Sequence, residues 1–396
     1  MNMTRKNVAG TMMWKIEEAR NIHLTLIIIM DKPIEGEALG KAAEDALEAW
    51  PLFRCGAALK EGVPYYVPND RPVAIMQGRE IHAPGSAALN GHMFHLGYQD
   101  DKIYLTCSHV ITDGQGMLRF MKTLVYAYVC HAYGQIPVTK DFRWKDESYS
   151  DDYADLWEQD YSKDAPAADE PVPQPAYVLP ENANHGGRND IVGRFFVPKD
   201  EFLAFVKKQQ SSTSVIMFGI FAKAVYSVRE VTLPIVARIT ANVRDALGIP
   251  HAMPNCSMGA HFALNPADVS DRAFAATMAA MKKSLKRQTS SEAIRGQARS
   301  LLDRGLCYPP IHTTCSIAYF GHLDFAFCGG HVKDFTLYEG EQHKINVVEM
   351  DGVFRFVLHL GEKTEEYARA MADVLRGFGV SVKMGDCVAV PKELYD

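Results

Sequence analysis

Short apolar runs recur along the chain, and most are followed closely by a stretch with helical spacing. "NIHLTLIIIMDKPI" (21–34) predicts a strand. "EGEALGKAAEDALEAWPLF" (35–53) predicts a helix, because Leu39, Ala42, Ala43, Leu47 and Trp50 fall near one face and Pro51 closes it. "VPYYVP" and "RPVAIMQ" read as short strands, and "MFHLGYQDDKIYLTCSH" as a hairpin turning at Asp100 and Asp101. The strand "KIYLTCS" then feeds a short polar turn, after which "GMLRFMKTLVYAYVCHAYG" is helical.

Between Asp146 and Gly187 the pattern lapses. Acidic residues gather in "DESYSDDYADLWEQD" and prolines in "APAADEPVPQPAYVLPENANHGG", a composition poorly suited to burial, which predicts a connection between two halves with the acidic run a solvated face. Strand and helix then resume: "IVGRFFVP" is a strand, and "KDEFLAFVKKQQ" and "STSVIMFGIFAKAVYSV" are helices, the latter capped by Ser212 or Thr213. "LPIVARITANVRDALG" predicts a strand entering a polar loop, and "DRAFAATMAAMKKSLKRQTSSEAIRGQARSLL" one long helical region. "TCSIAYFGHLDF" is a further strand, "KINVVEMDGVFRFVLHLG" a hairpin about Asp351-Gly352, and "KTEEYARAMADVLRGFGVSV" the last helix. No repeat of about 20 to 50 residues is visible, so two α/β layers are expected rather than a solenoid.

The chain has 396 residues, 47% hydrophobic and 23% charged, as a soluble folded protein would. A formal net charge of −6 argues against nucleic acid as a partner. "LTLIIIM" is too short to span a bilayer and the first residues lack an apolar leader segment, which predicts a soluble, cytoplasmic protein. Eight cysteines without a C-x-x-C pair speak for reduced thiols and against a structural zinc site. No metal is expected.

The chemistry concentrates at "TCSHVITDGQGM" (106–117), where a strand gives way to a helix. A histidine there suits proton transfer, because an ordinary imidazole is largely neutral and basic at neutral pH. Against this stands the bland reading: most of the 14 histidines will be surface or satisfied core residues. Asp113 could orient the His109 ring or pair with a cation elsewhere. Gly114 would permit unusual dihedrals or a close approach, or simply begin a helix. Ser108 next door is poorly placed as a nucleophile, since strand neighbours face opposite ways, and Cys107 reads as a small core residue.

"SHVITDG" resembles the H-x-x-x-D-G signature shared by chloramphenicol acetyltransferase, plant BAHD acyltransferases, nonribosomal peptide condensation domains, and the alcohol acetyltransferase and polyketide-associated acyltransferase group. Where some members carry a first histidine, this chain has Ser108, as BAHD members also lack it. "ITANVRDALGIPHAMPNCSMG" resembles the segment with an N-x-R after the lobe crossover, and "SIAYFGHLDF" the later S-Y-x-G or S-N-x-G strand and turn. With "EALGKAAEDALEAWPLFR" near the start, the similarity spans most of the chain in the expected order.

The resemblance implies an α/β (α+β) fold of two chloramphenicol-acetyltransferase-like lobes, each a mixed sheet packed with helices, in a V with a tunnel between them. The lobes would be 1–165, carrying the motif, and 190–396, joined by the Pro-rich 166–189. His109 would sit midway along the tunnel as general base, with no acyl-enzyme. It would take a proton from an acceptor hydroxyl that attacks the thioester of an acyl-CoA, acetyl-CoA above all. The backbone amide near Gly114, with Asn242 or Ser316, would stabilise the oxyanion; Tyr319 would touch the acceptor; Asp113 would pair with Arg244 as structural support.

The alternatives are an acyl group on the phosphopantetheine arm of an acyl carrier protein, transfer to an amine, and a catalytically silent docking module. His251 and His261, and likewise His312 and His322, are further channel candidates. A site formed within one chain predicts a monomer.

Overall fold

The computed structural model describes residues 5–7, 10, 13–14, 23–134, 142–144, 148–155, 166, 175–180, 191–305, 313–339 and 343–389. The connection 166–189 apart from 166 and 175–180, His312 and Cys307 therefore lie outside the described residues.

The first lobe begins with β1 (Arg5–Lys6), β2 (Leu24–Met30) and α1 (Gly36–Ala49). β3 (Cys55–Lys60) and β4 (Val63–Pro68) form a hairpin, and β1 pairs with β4 to complete a three-stranded sheet. β5 (Ile75–Gln77), β6 (Phe94–Gln99), β7 (Lys102–Cys107) and α2 (Gly114–Tyr133) follow. The expected helix over 35–53 stops at Ala49, because Pro51 opens a separate 3₁₀ turn, Pro51–Arg54. β3 was not foreseen; "CGAALK" is only half buried and carries no clear alternation.

The second lobe holds β8 (Ile191–Pro198), α3 (Lys199–Lys208), α4 (Thr213–Val228), β9 (Ile235–Asn242), the one-turn α5 (Arg244–Leu247), β10 (Ser257–Leu264), α6 (Phe274–Gln288), α7 (Ser291–Asp303) and β11 (Cys315–Leu323). The expected continuous helix over 271–302 is thus broken, and Ser290 caps α7 by accepting from Ala293 N at 3.3 Å. After β11 come β12 (Val332–Glu339), the hairpin β13 (Lys344–Met350) and β14 (Val353–His359), α8 (Thr364–Gly377), β15 (Lys383–Met384) and β16 (Val388–Ala389). Asp351 and Gly352 both have positive φ, as a tight two-residue turn requires.

Two mixed sheets organise the molecule. The second runs β10-β9-β11-β13-β14-β8-β15, with β16 also on β8, and β11 is parallel to both neighbours. The first runs β12-β2-β7-β6-β5. Its outermost strand, β12, comes from the far end of the chain and lies antiparallel on β2, Glu339 opposite Leu24. A strand from 332–339 therefore completes the sheet of the first lobe, so sheet membership does not follow the sequence order of the halves.

Each sheet has its own core. Leu24, Leu26 and Ile28 alternate inward from β2 onto Leu39, Ala42, Ala43 and Leu47 of α1 and onto α2. Ile317 and Val347 of the second sheet meet α4 and Met371 of α8. α4 is buried along almost its whole length, which is why its sequence is apolar all round. No single helix among the described residues is long and apolar enough to cross a membrane. None of the seven described cysteines forms a disulfide with another described residue, and burial pushes the Cys256 thiol up to about 12.

The acidic run differs from the expectation of a solvated face. Asp152 is buried and accepts both Arg143 guanidinium nitrogens, at 2.5 and 2.7 Å, while Asp151 pairs with His251. Charge in a sequence does not reveal whether a counter-ion waits in the fold.

His95 of β6 is 1% exposed, and burial, aided by His82, lowers its pKa to about 4. An imidazole that stays neutral when folded but protonates near pH 6.5 when unfolded contributes stability that is complete above pH 6.5 and lost as the pH falls towards 4. The loss amounts to at most about 3 kcal/mol. Urea unfolding at pH 7 and pH 4.5 should therefore show a smaller acid loss in His95→Gln than in the parent.

Candidate active site

β7 ends at Cys107, and the chain turns sharply over 108–113 before α2. Val110 and Ile111 plug into the first core, and Ser108, itself buried, ties the turn by accepting from Val110 N at 3.1 Å. Ser108 and Cys107 are thus packing residues. The anchored turn leaves His109 at the seam of the lobes with 17% of its side chain exposed, so the ring is not sealed in apolar packing.

His109 Nδ1 lies 3.2 Å from the Thr112 carbonyl oxygen. A carbonyl only accepts, so Nδ1 is the donor in this contact, and in the neutral ring Nε2 is the nitrogen left to accept a proton. Thr112 in turn donates through its hydroxyl to Met253 O at 2.7 Å, binding the motif turn to the second lobe.

Asp113 does two jobs at once. Its Oδ1 accepts from Gln115 N at 3.1 Å and Gly116 N at 3.0 Å, capping α2. The same carboxylate meets Arg244 in a bidentate pair, both contacts at 2.9 Å, and accepts from Cys256 N at 2.9 Å. Of the two alternatives open for Asp113, pairing with a distant cation is the one that occurs. Arg244 is fully buried, and its remaining donors reach Ala252 O, Pro254 O and Asn242 Oδ1. Burial alone would raise the Asp113 carboxyl, but Arg244 and the backbone donors outweigh it and hold the carboxyl below its ordinary range. On Arg244 burial works downward and Asp113 overrides it upward, so the pair is charged.

Asn242, expected near the oxyanion, is a brace for Arg244: its Oδ1 accepts from Arg244 N at 3.2 Å and Nη1 at 3.1 Å, and the residue is otherwise exposed. Tyr319 also departs from expectation. Along β11 the side chains of Cys315, Ile317 and Tyr319 belong with the second core, and Tyr319 stacks on Phe354 with centroids 5.9 Å apart. It faces away from the strip that Ser316 shares with Ala318. Ser316 itself lies beside Lys344 of β13, its hydroxyl 3.4 Å from Arg238 O.

Gly114 answers the question of close approach. A Cβ there would stand 2.5 Å from Phe320 Cε1 and 3.4 Å from Leu24 Cδ2, so the second lobe rests directly on the motif backbone. Gln115 adds a hydrogen bond from Nε2 to Phe320 O at 3.2 Å. Beyond this contact a cleft of about 560 Å³ is lined by Gln115, Arg119, Lys122, His251, Phe320 and His322, among others. His251 there stacks on Tyr149 and pairs with Asp151; His322 pairs with Glu349. His261 is on β10, and burial lowers its pKa to about 4. Gly114→Ala should cost about 1–3 kcal/mol through overpacking, with Phe320→Leu restoring part of it in chemical denaturation.

One residue escaped the sequence reading. Glu339, the last of β12, holds Oε1 4.0 Å from His109 Nε2, with 12% of its side chain exposed. Its Oε2 lies 3.5 Å from Asn346 Nδ2 and 3.6 Å from Lys344 Nζ. The alternation Phe335, Leu337, Glu339 was a usable strand signal, but nothing local says which sheet the strand joins.

No family model and no curated protein matches the chain. Solved structures do. F. sporotrichioides TRI101, complexed with coenzyme A and T-2, has a TM-score of 0.64 at 11% identity, over 96% of this chain and 99% of that one. Polyketide synthase associated protein 5 from Mycobacterium tuberculosis gives 0.63 at 14%, over 94% and 97%. The first condensation domain of the calcium-dependent antibiotic synthetase, with a substrate analogue, gives 0.60 at 13%, over 94% and 96%. The chain therefore has the two-lobed fold that these proteins share.

Proposed function

We propose that this protein is an acyltransferase that carries an acyl group from a thioester to a protic nucleophile, with His109 as general base. The observation that supports this most is the orientation of the His109 ring, with Nδ1 on the Thr112 carbonyl and Nε2 turned to the seam between the lobes. As the nucleophile bonds to the thioester carbonyl carbon, its proton passes to Nε2. The tetrahedral intermediate then collapses, the C–S bond breaks, and the imidazolium returns the proton to the departing thiolate. Holding both substrates beside one base removes most of the entropic barrier, worth as much as about 7–11 kcal/mol in favourable cases.

The oxyanion needs donors. The Gly114 amide is first in α2 and is left over once Asp113 has taken the next two amides. Ser316 is the second candidate. Coenzyme A is the donor we favour, because neighbours of the same fold bind it; a carrier-bound phosphopantetheine thioester is the second reading, favoured by the condensation-domain neighbours. All these residues belong to one chain, so a monomer suffices.

Thiol release from acetyl-CoA, and from an acyl carrier protein loaded with the same group, over a panel of alcohols and amines tests the reading. Turnover that disappears in His109→Ala upholds it. Release with neither donor overturns it.

A further inference from the structure

The cleft beyond the Gly114–Phe320 contact has no part in the proton transfers at His109. Its volume of about 560 Å³ lies within the ~300–1,000 Å³ common for small-molecule sites, and its walls come from α2 on one side and from residues such as His251 and Phe320 on the other. One wall is cationic. Arg119 and Lys122, three residues apart on α2, line the same space. Arg119 Nη2 donates to Pro250 O at 2.7 Å, which fixes its planar fork beside the backbone of His251. Burial, together with the charge of Arg244, lowers the Arg119 guanidinium below its ordinary range, so an anion set against it is favoured. The carboxylates that pair with lining residues hold other partners: Asp151 holds His251, Asp152 holds Arg143 and Glu349 holds His322.

The other wall is flat. The rings of Tyr149 and His251 stack with centroids 3.7 Å apart and 3° between their planes. Tyr149 is 42% exposed and so is the His251 side chain, so this platform is open to a further ring. Arg143, in bidentate contact with Asp152, packs over Tyr149 at 5.5 Å and over Trp50 at 4.6 Å from the ring centroids. The platform is therefore braced before anything binds, which lowers the entropic cost of binding.

We propose that this cleft binds a phosphorylated planar heterocycle, in its simplest form a nucleotide, with the phosphate on Arg119 and Lys122 and the ring on the Tyr149–His251 platform. The two parts of the site are neighbours, because the carbonyl that holds Arg119 belongs to Pro250, the residue before His251. A guanidinium meets two phosphate oxygens in one plane, and a second cation one turn along the helix answers a second charge. Stacking on aromatic side chains tolerates any base, so the site selects a class of ligand rather than one base. A ligand seated there touches both lobes, α2 in the first and His251 in the second.

Calorimetric titration of the whole chain with ADP, adenosine and pyrophosphate tests the site. ADP is expected to bind at least tenfold more tightly than either of its parts. Arg119→Gln lowers the affinity for ADP at least tenfold and leaves that for adenosine unchanged, Lys122→Gln does the same more weakly, and Tyr149→Leu weakens ADP and adenosine together. Thermal midpoints near that of the parent show that each variant is folded. ADP bound no more tightly than adenosine, or unmoved by both Arg119→Gln and Lys122→Gln, overturns the site. The nucleotide has two sources, a separate molecule or the far end of an acyl-CoA, and thiol release distinguishes them. ADP that raises KM for acetyl-CoA but not for acetyl-pantetheine assigns the cleft to the donor; ADP that binds and leaves both KM values unchanged assigns it to a separate nucleotide. Absence of turnover with either thioester counts against acyl transfer and leaves the binding result standing.

Discussion

His109→Ala lowers kcat for thiol release by about 10²- to 10⁴-fold, the usual contribution of a positioned general base, while the thermal midpoint stays close to that of the parent. The second half of that statement is as diagnostic as the first. The turn that carries His109 is anchored on either side, by the burial of Val110 and Ile111 and by the Ser108 hydroxyl that accepts from Val110 N. Removing the imidazole therefore leaves the turn, the cap on α2 and the Asp113–Arg244 pair in place. A variant that lost activity and tens of degrees of stability together would make His109 a structural residue and discredit the base.

Asp113→Ala should behave in the opposite way, destabilising the fold by about 3–5 kcal/mol and abolishing activity with it. The loss has a stated origin: Arg244 is fully buried and would keep its charge with no counter-ion. A further 1 kcal/mol or so follows from uncapping Gln115 N and Gly116 N. Arg244→Met in the Asp113→Ala background should cost less than the sum of the two single changes, because no orphaned charge remains; a double-mutant cycle in urea reads the difference. The pH dependence has a fixed sign. A carboxyl held below its unfolded value contributes stability above the unfolded carboxylate pKa and loses it as the pH falls, so the acid-induced loss should shrink in Asp113→Ala.

The motif was legible because its logic is local, a base between a strand and a helix; the Asp113–Arg244 pair was expected only through the resemblance, and the cap that Asp113 places on α2 was not foreseen. Asn242 and Tyr319 were misread because a residue's place beside a functional neighbour does not reveal which way it turns. Asn242 turned to Arg244, and Tyr319 sits at the wrong parity of β11. Asp151 and Asp152 looked solvated because their partners, His251 and Arg143, are identified only by the fold. Glu339 was invisible for the strongest reason. Its strand pairs with residues some 300 positions away, and no window along the chain contains both.

That pairing has a consequence for how the molecule is made and how it works. Until residue 339 has left the ribosome, β2 presents an unpaired apolar edge, the kind of template that invites wrong partners. Once β12 is stitched in, the two halves are sewn together by backbone rungs and cannot gape like jaws. Any wide parting of the halves along this line would first have to unzip the last strand from the first sheet.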